Sequence, residues 1–288
     1  YYIQSMTKPI MSVAIMQLVE QGKLSLEDNA ANYYPALANI RVIKDLSTGI
    51  NGPTVALNKP IKIKQLLTHT SGLSHGLEEN LFDQQLFKLM YNDLFDPAEY
   101  DALEERVDKL MQVPLVSQPG EQWYYSAAPD ILALILQKIT GQSINSYLRK
   151  NIFDPLLMND TGYNVDIDQQ QRIMQVHFNI GDGSIINSPV QVPPTGNTVY
   201  GGTHGLFSST EDFLKFLTTE LRDWVSERFN VSDDTTYIGD SMGGLFGLYT
   251  LFHQPKAFKR YVIGSPWQEW DHPKTFEYEE NYAENHEE

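Results

Sequence analysis

The sequence has no cysteine, few basic residues and no long apolar run. The absence of cysteine excludes disulfides, thiolate metal sites and a cysteine nucleophile. Lys and Arg number 21 against 37 Asp and Glu, so the formal charge is -16. A charge of this sign disfavours nucleic acid and anionic membrane surfaces as partners. No apolar segment has the length that predicts a membrane-spanning helix.

The two ends of the chain also lack features that are usual there. No initiator methionine and no signal peptide precede Tyr1, and Tyr1–Ile3 has the pattern of the end of a β-strand. The tail FEYEENYAENHEE predicts an acidic surface helix that stops abruptly. We therefore expect the chain to be cut within an element at both ends. Its 288 residues suffice for one large domain or two smaller ones.

Helical periodicity dominates the first half of the chain. Residues 7–21 are apolar nearly all round, which predicts a buried helix. Residues 77–111 predict amphipathic helices broken at Pro97, and residues 129–153 predict two helices separated by Gly141. The first half is therefore expected to be helix-rich.

The pattern changes toward the C-terminus. Residues 163–200 are polar and rich in Asn, Gln, Gly and Pro, which predicts loops and short strands. After about residue 230, TTYIGDSMGGLFGLYTLF predicts a strand, a tight turn and a helix, and KRYVIGSP predicts a second strand. This order is typical of a parallel α/β unit and indicates a boundary within residues 213–230.

The segment SMTK places Ser5 and Lys8 three residues apart at the start of the first predicted helix. At this spacing both side chains lie on one helix face. The helix N-terminus favours negative charge developing on a serine, and a lysine acts as a base when burial lowers its pKa. The alternative is a capping serine followed by a surface lysine. The four residues alone leave both interpretations open.

Six segments, in chain order, resemble the serine β-lactamase-related family, in its branch of β-lactamase-like esterases and D-amino-acid peptidases. They are SMTKPI, LVEQGKLSLEDNAANYYP, IKIKQLLTHTSGL, VPLVSQPGEQWYYS, ILALILQKITGQSINSYLRKNIFDPLLMNDTGY and GGTHGLFSSTEDFLKF. The resemblance runs from Tyr1 to about Phe216. It implies a β-lactamase/transpeptidase-like fold and serine acyl-enzyme chemistry on a small acyl substrate, without a cofactor.

The resemblance also implies roles for individual residues. Ser5 is the expected acylated nucleophile, Lys8 its base partner, and Tyr125 the tyrosine of the family's Y-x-N motif. A phenol there can relay a proton between the serine and the leaving group, whereas aromatic packing is the alternative for Tyr124 and Tyr125. The family carries Asn where this chain has Ala127, which cannot hydrogen-bond a substrate amide. That departure favours esters over β-lactams or peptides.

The histidines suggest neither a triad base in the first family nor a metal site. His69 lies in LLTHTSGL, which is a structural loop in the family, so the resemblance implies packing or hydrogen bonding for it. The other histidines lack metal-ligand spacing such as H-E-x-x-H. We therefore expect no bound metal.

A second candidate nucleophile is Ser241 in GDSMGG, a G-x-S-x-G motif between a predicted strand and a predicted helix. This is the context of a nucleophile elbow, in which small flanking residues expose the serine at a sharp turn. Ser74 in GLSHG matches the same motif, but no strand is predicted before it.

From about Phe216 the sequence resembles esterase-D-like and siderophore-esterase-like α/β-hydrolases. This resemblance implies Ser241 as nucleophile and the Met242 N–H as an oxyanion donor. A base histidine should follow further strands. Three histidines lie downstream of Ser241, and none stands at that place: His253, His272 and His286.

The two resemblances meet at residues 212–221, so we interpret the chain as a chimera of two hydrolase fragments. Residues 1–215 would be a β-lactamase-like serine hydrolase domain truncated at its N-terminus, and residues 216–288 an α/β-hydrolase fragment with the nucleophile elbow. The predicted fold class is α+β: the helix-rich part of a β-lactamase/transpeptidase-like fold, with most of its central sheet missing, followed by a partial strand–elbow–helix–strand unit.

Three functions follow from this interpretation. The first is a β-lactamase-like esterase working through Ser5, Lys8 and Tyr125. The second is an α/β-hydrolase esterase using Ser241. The third is a catalytically incomplete chimera, because the strand that faces the nucleophile in the first family is not found after residue 220. The compartment and the oligomeric state stay open.

Overall fold

The computed structural model describes residues 1–93, 96–97, 100–173, 177–179, 185–187, 196–266 and 278–283. The chain divides into two compact units, each discontinuous in sequence. The first unit comprises Thr7–Leu148 and Asn197–Gly205, and the second comprises Tyr1–Met6, Arg149–Gly196 and Leu206–Glu288.

The first unit is built from helices around a central one. Its helices are α1 (Thr7–Glu20), α2 (Ile63–Leu67), α3 (Leu81–Met90), α4 (Leu103–Leu110), α5 (Ala128–Thr140) and α6 (Ile144–Leu148). Every residue from Ala128 to Leu136 is buried, and α5 packs against α1, α2 and α4. The apolar sequence of α5 therefore forms the core of this unit.

Glycines end the two long helices of the first unit, as the sequence predicts. Gly22 follows α1 with φ 67°, and the N–H groups of Gly22 and Lys23 donate to the carbonyls of Val19 and Leu18. This pair of bonds is a Schellman motif, which satisfies carbonyls left without helical partners. Gly141 caps α5 in the left-handed region, with φ 68°.

Two short antiparallel hairpins complete the first unit. Strand β1 (Arg41–Ile43) pairs with β2 (Thr54–Ala56), and β3 (Tyr91–Asp93) pairs with β4 (Asp96–Pro97). The prediction of helices broken at Pro97 within residues 77–111 is therefore wrong between α3 and α4, where β3 and β4 lie. Tyr91, the C-cap of α3, already has extended backbone, with φ -132° and ψ 138°.

The second unit contains the predicted short strands and the C-terminal α/β segment. Its elements are α7 (Ile167–Gln170), β5 (His177–Asn179), β6 (Ile185–Asn187), α8 (Thr210–Lys215), α9 (Arg222–Arg228), β7 (Thr236–Ser241), α10 (Met242–His253) and β8 (Arg260–Pro266). Residues 278–283 are also helical. Strands β5 and β6 pair antiparallel.

Strands β7 and β8 are parallel, and α10 packs on both. Strand β7 and helix α10 approach each other closely, since a Cβ on Gly239 would lie 2.3 Å from the carbonyl O of Gly243. Ile238 and Val262, which are register partners, are 74% and 54% exposed. Parallel strands are usually covered on both faces. Here the face that carries Ile238 and Val262 is apolar and exposed.

Residues 1–3 of the second unit are extended and pair with Leu206–Ser208. The Ile3 N–H donates to the Leu206 carbonyl at 3.0 Å, and the Ser208 N–H donates to the Tyr1 carbonyl at 2.9 Å. Tyr2 and Phe207 form an antiparallel bridge. The expectation that Tyr1–Ile3 has strand character agrees with this pairing.

The predicted junction near residue 216 lies within one helical run. Helix α8 continues through a π-helical segment, Phe216–Leu221, into α9. The division at residues 215 and 216, the missing central sheet and the fused fragment remain predictions about the chain. Within the described ranges, every helix is too short or too polar to span a membrane.

Candidate active site

Lys8 lies buried in the first turn of α1, 7% exposed, and has two close partners within the first unit. Its Nζ lies 2.6 Å from the Oη of Tyr125 and donates to the carbonyl O of Thr203 at 3.0 Å. The same Nζ lies 4.7 Å from the centroid of the Tyr125 ring. The structure thus brings together two of the three residues predicted for the first family.

Burial lowers the pKa of Lys8 to about 7, against 10.5 for an ordinary lysine. The Asp130 carboxylate opposes this shift and the Arg106 guanidinium adds to it. A large fraction of Lys8 is therefore neutral near pH 7, where a general base is most effective. The alternative of a surface lysine is excluded by its burial.

Tyr125 and its neighbour Tyr124 have different environments. The Tyr124 hydroxyl donates to Asp83 Oδ2 at 2.6 Å and accepts from Asn80 at 3.2 Å. The Tyr125 hydroxyl instead faces Lys8, and its ring stacks on His75 with the centroids 5.5 Å apart. Tyr124 is thus held by the Asp83 carboxylate, and Tyr125 is the tyrosine that lies against the Lys8 amine.

The histidines around Tyr125 are neutral packing residues. His69 Nδ1 lies 2.9 Å from the Ser126 hydroxyl, and its ring lies 5.2 Å from that of Tyr125. Burial and the nearby Lys8 charge lower the pKa of His69 to about 4 and that of His75 to about 3. His69 therefore has the packing and hydrogen-bonding environment that the sequence resemblance implied.

A buried ion pair lies behind these residues. Arg106 Nε on α4 donates to Asp130 Oδ2 on α5 at 2.8 Å, and both residues are at most 5% exposed. Burial opposes ionisation of Asp130, but Arg106 outweighs it and holds the pKa of the carboxyl at about 2. The remaining oxygen of Asp130 accepts from the N–H groups of Gly202 and Thr203, at 2.9 and 2.8 Å.

Sequence reasoning did not single out Thr203, Asp130 or Arg106. A signal existed for two of them: Asp130 is the acidic residue in the apolar first part of α5, and Arg106 shares a face with Leu103 and Val107 of α4. The contact of Thr203 with Lys8 spans 195 residues of sequence, so no local pattern indicates it.

Ser5 is exposed and belongs to the second unit. It lies in the 3-10 turn Gln4–Met6, which runs directly into α1 at Thr7. Its role as nucleophile remains a proposal.

Ser241 is the last residue of β7, and Met242 is the first residue of α10. This strand-to-helix step has the order of a nucleophile elbow. His253 lies at the other end of α10, roughly 16 Å along the helix axis, and its Nδ1 donates to the Tyr249 carbonyl at 2.9 Å. It therefore cannot reach Ser241, and His272 and His286 lie outside the described residues.

No cluster of three or more His, Asp or Glu side chains suited to a metal ion occurs in the part of the chain that the structure describes.

A family model described as Beta-lactamase matches residues 1–252. The chain belongs to the beta-lactamase family. Protein Rv1367c of Mycobacterium tuberculosis is 31% identical over 226 residues, covering 77% of this chain and 54% of that protein. Lovastatin esterase of Penicillium rubens is 31% identical over 229 residues, covering 76% and 54%. The match confirms the predicted family.

The fold agrees with the same family. The LovD6 mutant of simvastatin synthase from Aspergillus terreus superposes with a TM-score of 0.63 at 25% identity, covering 77% of this chain and 52% of that one. The chain thus has a β-lactamase/transpeptidase-like fold and spans about half the length of the curated relatives it matches. The family match runs past residue 216 into α10, and the resemblance to α/β-hydrolases remains a prediction.

We expect the free energy of unfolding to increase from pH 7 to pH 10. Lys8 has a pKa of about 7 when folded and about 10.5 when unfolded. Between these values the unfolded chain binds the extra proton, so stability rises with pH by at most about 1.4 kcal/mol per pH unit. Below pH 7 both states are protonated and the full penalty of burying the ammonium remains.

Urea unfolding of the native chain and of Lys8→Met, followed by circular dichroism at four pH values from 7 to 10, measures this dependence. The Tyr1 amine, whose pKa burial lowers to about 6, contributes equally to both proteins and cancels in the comparison. Equal slopes for the two proteins would show that Lys8 is not a buried amine.

Proposed function

We propose that the chain hydrolyses carboxylic esters through an acyl-enzyme on Ser5, with Lys8 as base and Tyr125 as proton relay. The observation that carries this proposal is the buried Lys8 amine, 2.6 Å from the Tyr125 hydroxyl. An exposed lysine stays protonated near pH 7, whereas the buried Lys8 amine has a pKa of about 7.

Acylation transfers one proton and one acyl group. The neutral Lys8 amine takes the proton of Ser5, directly or through the Tyr125 phenol, as the Ser5 Oγ bonds to the ester carbonyl carbon. Collapse of the tetrahedral intermediate breaks the bond to the alkoxide, which leaves with that proton as an alcohol. The N-terminus of α1 follows Ser5 and favours the negative charge that develops there.

Deacylation repeats these transfers with water in place of the alcohol. Lys8 or Tyr125 removes a proton from water as the water oxygen attacks the acyl carbon, and the proton then returns to the Ser5 Oγ as the acid leaves. Every proton gained in one half-reaction is released in the other. The side chains needed for the cycle are thus one hydroxyl, one amine and one phenol.

Two observations support esters as the substrate class. Ala127 is 3% exposed and provides no side-chain hydrogen bond for a substrate amide. A relative that is 31% identical is named as a lovastatin esterase. Because the chain spans about half of that relative's length, this substrate class is a proposal for this protein, and the identity of the ester is left to substrate screening.

A second candidate nucleophile is Ser241. It is favoured by the direct passage from β7 into α10 and by the parallel pairing of β7 with β8. It is disfavoured because His253, the downstream histidine in the described part of the chain, bonds to its own helix. The third alternative, an incomplete chimera, predicts no reactive serine.

Intact-mass analysis after treatment with a fluorophosphonate distinguishes these possibilities. We expect one adduct on the native chain, its loss in Ser5→Ala, and its retention in Ser241→Ala. Ser12→Ala serves as the matched control, because Ser12 lies on α1 and its hydroxyl donates to the backbone carbonyl of Lys8. Loss of the adduct only in Ser241→Ala would transfer the function to the elbow, and no adduct on a folded chain would contradict both assignments.

A further inference from the structure

A second partner of Lys8 is the backbone carbonyl of Thr203, and the N–H of that residue is held by a side chain of another helix. Thr203 is fully buried, and its carbonyl O accepts from Lys8 Nζ. Its N–H donates to Asp130 Oδ1 at 2.8 Å, and the N–H of Gly202 donates to the same oxygen at 2.9 Å. Asp130 thus fixes the two peptide groups that flank Gly202, and with them the backbone that leads to the Thr203 carbonyl.

The loop that carries Thr203 is seated against the first turn of α5. A Cβ on Gly202 would lie 2.1 Å from the Pro129 carbonyl O, so only glycine permits this approach. The Thr203 hydroxyl also donates to the Ala127 carbonyl, at 3.4 Å. Backbone and side-chain contacts therefore hold the loop to the N-terminus of α5.

Tyr125 and Thr203, which both contact the Lys8 amine, are therefore both positioned by the start of α5. Tyr125 precedes α5 by three residues, and Thr203 is attached to the start of α5 through Asp130. A neutral lysine has one lone pair and two N–H groups. When one N–H donates to the Thr203 carbonyl, the lone pair can accept from the Tyr125 hydroxyl.

Arg106 connects the same helix to the Tyr125 ring. Its Nε donates to Asp130, and its Nη2 donates to the Tyr91 hydroxyl at 3.4 Å. The same oxygen lies within hydrogen-bond distance of His75 Nδ1, 3.1 Å away. The His75 ring in turn stacks on Tyr125, with 4° between the planes.

We propose that Asp130 and Arg106 are positioning residues for the Lys8 base: Asp130 holds Thr203 by its N–H, so that the carbonyl of Thr203 orients the amine, and Arg106 holds Asp130 and, through Tyr91 and His75, the ring of Tyr125. This inference rests on the proposed function. Neither residue touches the reacting atoms, and both act through Lys8 and Tyr125.

The ion pair also places opposite charges near the Lys8 amine. Asp130 favours the protonated amine and Arg106 disfavours it. The other titratable groups that face Lys8 are Tyr125, His69, His75 and His204. The three histidines are neutral above about pH 5, because burial lowers the pKa of His69 to about 4 and those of His75 and His204 to about 3. Asp130 and Arg106 are thus the fixed charges that act on the base.

The test compares the rate of Ser5 labelling by a fluorophosphonate, as a function of pH, in Asp130→Asn, Arg106→Gln, the double variant and Asp130→Ala. Asn keeps an oxygen for the Gly202 and Thr203 N–H groups but loses the charge. The acid limb of the profile is the pH range in which the labelling rate rises as Lys8 loses its proton. We expect its midpoint to shift to a pH about one unit lower in Asp130→Asn and about one unit higher in Arg106→Gln. The double variant should lie between them.

Asp130→Ala separates the hydrogen bonds from the charge. We expect its plateau rate at high pH to fall by about tenfold or more, because the Thr203 carbonyl is released, whereas Asp130→Asn should keep most of the plateau. A purely structural role for the pair would lower both plateaus alike and leave the acid limbs in place. Coincident acid limbs in all four variants would overturn the inference.

A second measurement distinguishes failure of the inference from failure of the proposed function. The chain is labelled with 13C-lysine, and the Lys8 resonance, identified by its loss in Lys8→Met, is titrated in each folded variant. Opposite shifts of this titration in Asp130→Asn and Arg106→Gln support the inference even if Ser5 is unreactive, which would overturn the assignment of Ser5 alone. An unchanged Lys8 titration overturns the inference whatever the labelling result.

Discussion

Replacing Lys8 by Met is expected to lower the rate of Ser5 labelling by about 10³-fold while leaving the chain folded. Positioned general bases contribute about 10² to 10⁴ to reaction rates, and Met has no lone pair that can take the serine proton at neutral pH. The side chain of Met fills a similar volume, so the buried site need not collapse. The rate loss should therefore be far larger than any loss of folded protein.

The measurement is the second-order labelling rate constant at pH 8, with circular dichroism as the check on folding. Lys23→Met is the matched control, since Lys23 is an exposed lysine just beyond the end of α1, and it should label at the native rate. Labelling of Lys8→Met within threefold of the native rate would show that Lys8 is not the base.

Replacing Arg106 by Met is expected to destabilise the chain by about 3–5 kcal/mol, because it leaves the Asp130 carboxylate buried without its partner. Adding Asp130→Asn should recover most of that loss. The neutral amide still offers an oxygen to the Gly202 and Thr203 N–H groups. The pair is thus expected to contribute mainly to geometry, since a buried ion pair adds little net stability over neutral groups.

Urea unfolding at pH 7.5 of the two single variants and the double variant gives the coupling between the two residues. Lys138→Met provides the contrast. It breaks the partly exposed Lys138–Glu104 pair, whose side chains are 36% and 53% exposed, and should cost less than about 1 kcal/mol. If the double variant is as unstable as Arg106→Met alone, the charge of Asp130 is not the cause of the loss.

Local sequence patterns predicted the elements that lie deepest in the protein. Residues 7–21 were predicted as a buried helix and form α1, and the two helices around Gly141 are α5 and α6. A continuous apolar run and a following glycine are signals carried by neighbouring residues. The parallel strand–helix–strand segment of β7, α10 and β8 was predicted on the same grounds.

The same patterns were wrong where the environment overrode them. Residues 77–111 were predicted as helices broken at Pro97, but residues 91–93 and 96–97 pair as the antiparallel strands β3 and β4. Tyr91 leaves the helix in an extended conformation, and its side chain is buried, with the hydroxyl bonded to His75 and Arg106. Satisfying a buried phenol is a tertiary requirement that helical periodicity does not record.

The sequence likewise predicted some features of the candidate site and not others. The spacing of Ser5 and Lys8 was available from the sequence because it is a property of a short segment, and Tyr125 was available through the family's motif. The contact of the Lys8 amine with the Thr203 carbonyl, the bond from Thr203 to Asp130 and the Asp130–Arg106 pair were decided only by the fold. These contacts join residues 195, 73 and 24 positions apart. Such pairs meet because helices pack around α5, and no periodicity within a single element specifies which side chains then share the buried space.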